Sequence, residues 1–268
     1  MTRIARSFLF VPGDRPERFD KAAASGAHEI ILDLEDAVGM EMKSHAREQV
    51  RVWLDGTDRA AIVRINAFGT PWFDDDLAML ARTPNAALML PKADAQSLAQ
   101  VVAGLAGRRV IALVETVAAC LDLAAICAVV GVAQLSFGSV DFSTESGIAD
   151  EDHALDAVRT QIVLESVRAG LLPPIDGVSV SVHDAESIEK DARRSRQLGF
   201  GAKLCIHPAQ VAAVNAAFAP SAQELDWARR VLVAIDASAG AATTVDGKMI
   251  DKPLVDRARR IIISAAET

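Results

Sequence analysis

The chain has 268 residues, of which 28 are Lys or Arg and 36 are Asp or Glu, giving a formal net charge of −8. That acidic balance gives no sign of a nucleic-acid-binding surface. The length suits one domain with a large core, close to the ~250 residues of a (β/α)₈ barrel.

In chain order, eight apolar runs each end in charged or polar residues. Phe8–Val11 leads into Pro12-Gly13-Asp14-Arg15, Ile30–Leu32 into Asp33-Leu34-Glu35-Asp36, and Ala61–Val63 into Arg64-Ile65-Asn66. Ala87–Leu90 leads into Pro91-Lys92, Val110–Val114 into Glu115-Thr116, and Gln134–Phe137 into Gly138-Ser139-Val140-Asp141. Gly177–Val182 runs into His183-Asp184, and Ala202–Ile206 into His207-Pro208. Parallel strands covered on both faces read as continuous apolar stretches. Eight of them, with polar groups at their C-terminal ends, predict a (β/α)₈ TIM barrel with its chemistry at that end.

The intervening segments read as helices. Pro16–Ser25 has Pro near its start and Gly26 beyond its end. Met42–Leu54, Ala95–Leu105, Ala118–Val130 and Glu151–Ala169 follow, the last stopped by Gly170 and Pro173-Pro174. Ala185–Leu198 carries a charged face that reads as solvated, and Ala209–Phe218 closes the eighth unit. Beyond it come a helix at Glu224–Ala237, a small-residue linker at Ala239-Gly240-Ala241-Ala242, and a final helix from about Pro253. The expected organisation is a barrel domain over 1–219 and a short helical, lid-like extension over 220–268.

Cys120, Cys127 and Cys205 show no Cys-x-x-Cys spacing and read as small buried hydrophobes, which fits a reducing compartment. The N-terminus lacks the apolar core of a signal peptide. No stretch reaches the ~18 apolar residues of a spanning helix. The expectation is a cytoplasmic protein without a membrane partner.

Glu115 and Asp141 follow adjacent strands, which lie about 4.8 Å apart. Two carboxylates in one small volume repel unless a cation or proton intervenes. Oxygen-only ligation suits Mg²⁺, although each carboxylate is equally able to cap a helix or pair with an arginine. Arg64 can grip a substrate carboxylate through two parallel hydrogen bonds, or pair with Glu35 or Asp36 one strand earlier. His207 reads as a histidine held at the barrel end by hydrogen bonds rather than as a general base. The chain has no tyrosine, which removes a tyrosine acid or base, and it contains no dinucleotide or Walker-type phosphate loop.

Taken together, Arg6–Gly13, Ile31–Val38, Val63–Asn66, Leu90–Lys92, Glu115-Thr116, Phe137–Phe142, Ile206–Val211 and Gly247–Pro253 resemble the citrate lyase β-subunit family of acyl-CoA lyases. Malyl-CoA and citramalyl-CoA lyases are its relatives. The resemblance runs in order along nearly the whole chain. It implies Mg²⁺ held by Glu115 and Asp141, and Arg64 and Glu115 on the substrate. It further implies Phe10, Arg15 and Lys21 on coenzyme A; Glu35 and Asp36, as carboxylates able to orient Arg64, join it in the expected catalytic set. Asp251 matches a catalytic acid/base supplied from a neighbouring subunit's tail; by position alone it reads equally as a helix N-cap. The expected reaction is cleavage or formation of a 3-hydroxyacyl-CoA thioester, giving an acyl-CoA and a 2-oxo acid (glyoxylate, pyruvate or oxaloacetate). A homotrimer, or a hexamer built from trimers, is the implied assembly. The alternatives are a metal-dependent aldolase on free 2-oxo acids and a lyase subunit that works only with an acyl-carrier protein. His28, where the family usually has Asp, and the Ser179–Asp184 stretch depart from the family pattern.

Overall fold

The computed structural model describes residues 5–238 and 243–266; the expected linker Ala239–Ala242 lies outside the described residues. Two compact units divide the chain, one spanning Ala5–Asn215 and the other beginning at Ala216.

The first unit is a closed parallel barrel in the strand order β1 to β8. Its strands are β1 (Ser7–Pro12), β2 (Glu29–Asp33), β3 (Ala61–Arg64), β4 (Ala86–Leu90), β5 (Val110–Val114), β6 (Val132–Phe137), β7 (Leu172–Asp176) and β8 (Ala202–Cys205). Closure comes from β1–β8 pairing, with Phe8 opposite Leu204. Inward-facing apolar side chains, among them Phe8, Ile31, Ile62, Met89, Ile111 and Ile175, pack into one buried cluster inside the barrel. Such a barrel is a filled core and not a pore.

The helices are α1 (Phe19–Ala23), α2 (Lys43–Asp55), α3 (Phe73–Arg82), α4 (Ala95–Gly104), α5 (Val117–Leu121), α6 (Leu123–Ala128), α7 (Ser139–Ser146), α8 (Asp156–Arg168), α9 (Ala185–Leu198) and α10 (Pro208–Phe218). Local signals explain several of their ends. Asp94 and Ser97 form a reciprocal capping box on α4, and Thr116 caps α5 through the Ala119 N–H, each satisfying an N–H that the helix leaves free. Gly199 ends α9 in the left-handed conformation.

Several elements differ from the sequence expectation. The seventh strand is Leu172–Asp176 and not Gly177–Val182. The alternating Ser-Val-Ser-Val run imitates a strand, but the carbonyls of Ser179 and Ser181 both accept from Gln210 Nε2 at 2.7 Å instead of joining the ladder. Pro173 and Pro174, read as helix-stopping residues, lie in the strand itself. Proline lacks a donor but keeps its carbonyl, and here those carbonyls accept from Gln134 Nε2 and the Gly201 N–H. The Ala118–Val130 stretch breaks at Asp122 into α5 and α6. The first helix starts as a 3₁₀ turn over Pro16–Arg18, α8 begins only at Asp156, and α3 and α7 were not anticipated.

The second unit contains α11 (Ala222–Ala237), a hairpin of β9 (Thr243–Val245) and β10 (Lys248–Ile250), and α12 (Lys252–Ala266). Asp246 and Gly247, both at positive φ, form the two-residue turn that a right-twisted hairpin favours. Ala228, Val231 and Ile235 of α11 recur at helical spacing and bury against Val245, Ile250, Val255 and Ala258. The expected boundary at 219/220 falls just past the end of α10, whereas the second compact unit starts inside that helix.

Candidate active site

The C-terminal ends of β2 to β6 bring the charged residues together. Asp33 and Arg64 are register partners on β2 and β3. The guanidinium spends two donors on Asp33, Nε to Oδ1 at 2.7 Å and Nη2 to Oδ2 at 2.6 Å. Its Nη1 lies 3.0 Å from Glu35 Oε2 and 3.7 Å from Asp36 Oδ2, and the ring of Phe10 lies against its face at 4.7 Å. Asp33 also accepts the N–H groups of Glu35 and Ala37, so the loop after β2 is built around that carboxylate. Arginine matches such a fork geometry and lysine does not. The structure thus shows both carboxylates expected near Arg64, and adds Asp33, the principal partner that sequence reasoning missed. Its signal was available: a carboxylate as the last residue of a strand otherwise entirely apolar at its core.

Glu115, immediately past β5, is 1% exposed. Its Oε1 accepts the Lys92 N–H at 2.7 Å and lies 3.8 Å from Lys92 Nζ. The ammonium itself donates to Glu35 Oε1 at 2.5 Å. A continuous chain, Asp33–Arg64–Glu35–Lys92–Glu115, therefore crosses the barrel mouth. Sequence reasoning offered Lys92 as a strand-end cation for an anionic ligand, but not its ties to Glu35 and Glu115.

Asp141 is not at the end of β6, as the sequence suggested. It sits in the first turn of α7, after a break at Gly138. Gly138 is needed there: a Cβ on it would lie 2.4 Å from Glu115 Cβ and 2.7 Å from Oε2. The missing side chain lets the start of α7 approach Glu115 closely. Asp141 is exposed, whereas Glu115 is buried.

A cavity of about 370 Å³ collects these groups. Arg64, Glu115, Asp141, Asp33 and Asp36 line it together with Phe10 and an apolar wall of Leu113, Phe137, Val178, Leu204 and Ile206. A larger groove of about 860 Å³, running from α7 to α9, contains none of the expected site residues; the charge chain, and not volume, marks the site.

Burial, with like charge behind it, governs the electrostatics of the acids. Burial, followed by the neighbouring Glu35 and Asp141, pushes the Glu115 carboxyl up to about 8 against the pull of Lys92. Burial also raises Glu35, opposed by Arg64 and Lys92. Lys92 is raised, because its ties to Glu35 and Glu115 outweigh its own partial burial. Acids pushed away from their ordinary range in a cleft are a mark of a functional site.

Two carboxylates facing one volume form a hard-oxygen donor pair that suits a small divalent cation. Among the described residues, no group of three or more His, Cys, Asp or Glu could hold a metal ion, so water or substrate oxygens have to supply the remaining ligands. The raised Glu115 supports the fit, since a cation would offset the burial and the like charge that favour its protonated form.

Of the residues expected on coenzyme A, Phe10 lines the cavity. Arg15 and Lys21 are exposed, in the turn after β1 and on α1, with Arg15 3.7 Å from Asp14. His28 accepts the Arg6 N–H at 3.0 Å through Nδ1, and His207 accepts the Ala209 N–H at the start of α10; both are held as structural groups. In the second unit, Asp251 precedes α12 and its Oδ1 accepts the Leu254 N–H at 3.4 Å, the geometry of an N-cap.

The profile of the HpcH/HpaI aldolase/citrate lyase family matches residues 6–208. The chain belongs to that family. It is 39% identical over 267 residues to the citrate lyase subunit beta-like protein of Mycobacterium tuberculosis, covering 97% of this chain and 95% of that one. It is 32% identical to a (3S)-malyl-CoA thioesterase of Cereibacter sphaeroides, over 97% of this chain and 94% of the relative. The crystal structure of CitE from M. tuberculosis in complex with magnesium, acetoacetate and coenzyme A superposes with a TM-score of 0.86 and 37% identity, covering 99% of this chain and all of that one. The profile stops within the barrel unit, whereas the likeness to these relatives and to the CitE structure covers the extension as well. The family is one of lyases, and its barrel is the fold found here. Among the described residues, no helix is long and apolar enough to cross a membrane.

Proposed function

We propose that this family member is a Mg²⁺-dependent carbon–carbon lyase that cleaves or forms a 3-hydroxyacyl-CoA thioester, exchanging it for an acyl-CoA and a 2-oxo acid. The observation that carries the reading is one cavity bounded by Glu115, Asp141 and Arg64 at the barrel mouth. The magnesium and coenzyme A bound by the M. tuberculosis CitE support it.

Glu115 and Asp141 would hold the ion, which supplies Lewis acidity and a template for the oxygens of the substrate. Arg64 faces the anionic end of the 2-oxo acid; Asp33 and Glu35 keep its plane fixed, so orientation is set before substrate arrives. In the cleavage direction Asp36, which lines the cavity and remains partly solvated, accepts the hydroxyl proton. The C–C bond breaks, its electron pair passes to the thioester α-carbon, and the carbinol carbon becomes the keto carbon. The apolar wall of Leu113, Phe137, Val178, Leu204 and Ile206 keeps water from that enolate. A carboxylic acid then protonates the α-carbon; we assign this to Asp251, acting on a neighbouring subunit of a trimer or hexamer. Arg15 and Lys21 would provide positive charge for the phosphates of coenzyme A, and Phe10, which lines the cavity, would pack against its pantetheine. A cytoplasmic location suits such a substrate.

The test is to incubate the purified chain with Mg²⁺ and a panel of 3-hydroxyacyl-CoA thioesters while following 2-oxo acid and free thiol separately. Equimolar 2-oxo acid and acyl-CoA support the lyase. Free thiol without 2-oxo acid means a thioesterase, as in the C. sphaeroides relative. Neither product across malyl-, citramalyl- and citryl-CoA refutes the reading.

A further inference from the structure

The geometry points to Lys92 as a positioning residue for Glu115 that acts through its own backbone, a role resting on Glu115 being a metal ligand as proposed above. Three non-glycine residues among those described have positive φ: Lys92 at 48°, Asp152 at 44° and Asp246 at 56°. Asp246 occupies a tight hairpin turn and Asp152 a surface turn, and short Asp side chains tolerate the left-handed region. A long side chain does not choose it freely, since its Cβ crowds the backbone. Glycine would adopt that conformation without strain, yet the position holds lysine.

Two contacts account for this. The left-handed turn aims the Lys92 N–H at Glu115 Oε1, 2.7 Å away. Meanwhile the ammonium reaches Glu35 Oε1 at 2.5 Å, the same carboxylate whose other oxygen faces Arg64. One residue thereby fixes the carboxylate at the end of β5 and braces the arginine at the end of β3. With Oε1 committed to the N–H, Oε2 is left on the Gly138 side, towards the turn that carries Asp141. Strain held at a site by its surroundings is a recurring property of functional positions. Here the strained peptide selects which Glu115 oxygen is available to a cation.

The test separates backbone from side chain with the series Lys92→Gly, Lys92→Asn, Lys92→Ala and Lys92→Val. All four lack the ammonium, and tolerance of the left-handed conformation orders them differently from side-chain size, so the order of affinities tells the two apart. Mg²⁺ by itself is the probe, titrated by calorimetry at pH 9 with thermal melts alongside. Gly and Asn should bind Mg²⁺ within about threefold of each other, Ala more weakly, and Val at least about tenfold more weakly than Gly. A purely structural role would order the melting temperatures this way but leave the Mg²⁺ affinities alike, and that result overturns the proposal. So does an order of affinities that follows side-chain size with Asn below Ala. If Lys92→Val does not fold, the Gly–Ala comparison decides, and equal affinities there overturn it. Wild-type protein that binds no Mg²⁺ at millimolar concentration removes the metal reading and this proposal together. Affinities in the expected order without thioester turnover leave the positioning role standing and refute the lyase.

Discussion

Lowering the pH from 9 to 6 should weaken Mg²⁺ binding to the ligand-free protein by roughly a hundredfold, because Glu115 must lose a proton to coordinate. Burial beside Glu35 and Asp141 lifts its carboxyl from an ordinary value near 4.5 to about 8. Below that value each pH unit leaves about a tenth as much carboxylate, equivalent to about 1.4 kcal/mol. The sign for stability follows from the same shift. An acid raised in the fold favours the protonated native state, so its contribution is fully present below about 4.5 and is lost as pH rises towards about 8. A window that wide corresponds to at most about 5 kcal/mol, which a bound cation offsets above it. Calorimetry in two buffers of different ionisation enthalpy reads the proton directly. About one H⁺ should be released per Mg²⁺ near pH 6.5 and almost none at pH 9. Glu115→Gln should abolish measurable Mg²⁺ binding, and its metal-free stability should lose this pH dependence. Wild-type affinity that stays flat from pH 6 to 9, with no buffer-dependent heat, would refute the reasoning.

Arg64→Lys should weaken 2-oxo acid binding at saturating Mg²⁺ by at least about tenfold, since an ammonium cannot hold Asp33 bidentately and still present charge to a ligand; unchanged pyruvate affinity by calorimetry argues against it. Asp33→Ala should lower unfolding free energy by about 3–5 kcal/mol in denaturant titrations, because it leaves a buried guanidinium without its main partner; a loss below about 1 kcal/mol would mean that Glu35 and Asp36 suffice. Gly138→Ala should reduce Mg²⁺ affinity more than it reduces stability, as the new Cβ displaces the Glu115 side chain 2.4 Å away; a variant with normal affinity would show that α7 shifts freely. Asp251→Asn and Glu115→Gln chains, each inactive alone, should regain part of the activity when mixed and allowed to exchange subunits. No recovery after proven exchange would confine Asp251 to capping α12.

The barrel was legible because seven of its strands are short apolar runs closed by polar residues, a pattern that parallel strands impose. The seventh was not, for a definable reason. Leu172–Asp176 contains two prolines, which usually argue against an interior strand, while the Ser-Val alternation after it has the period of a strand without its ladder. At the candidate site, the strand-end placement of Glu115 and Arg64 was readable from the sequence, and the structure puts both on one cavity. Asp141 was readable as a residue but not as part of a helix, because the break at Gly138 depends on how closely Glu115 packs against it. Lys92 was readable only as a strand-end cation, because its tie to Glu115 comes from a backbone angle, which side-chain chemistry does not encode. The pairing of Asp33 with Arg64 needs strand register, a property of the closed barrel and not of either segment.

Two buried strand-end acids show how the structure distinguishes support from chemistry. Asp176, at the end of β7, is as inaccessible as Glu115. Burial alone would raise it, yet Lys203 and Arg159 pull its carboxyl below the ordinary range. Arg159 Nε lies 2.9 Å away, Lys203 Nζ 3.8 Å away, and Ser195 donates its hydroxyl. That acid has its cations built in; removing one partner would leave a buried charge and loosen the fold. Glu115 has a single backbone N–H, a lysine already committed to Glu35, and two like charges nearby. Its charged form is unfavourable in the protein alone, and either a proton or a cation relieves it. The same barrel thus places two carboxylates at equal depth and completes the surroundings of only one. The acid left incomplete is the one beside a cavity, where a ligand can supply what the sequence withholds.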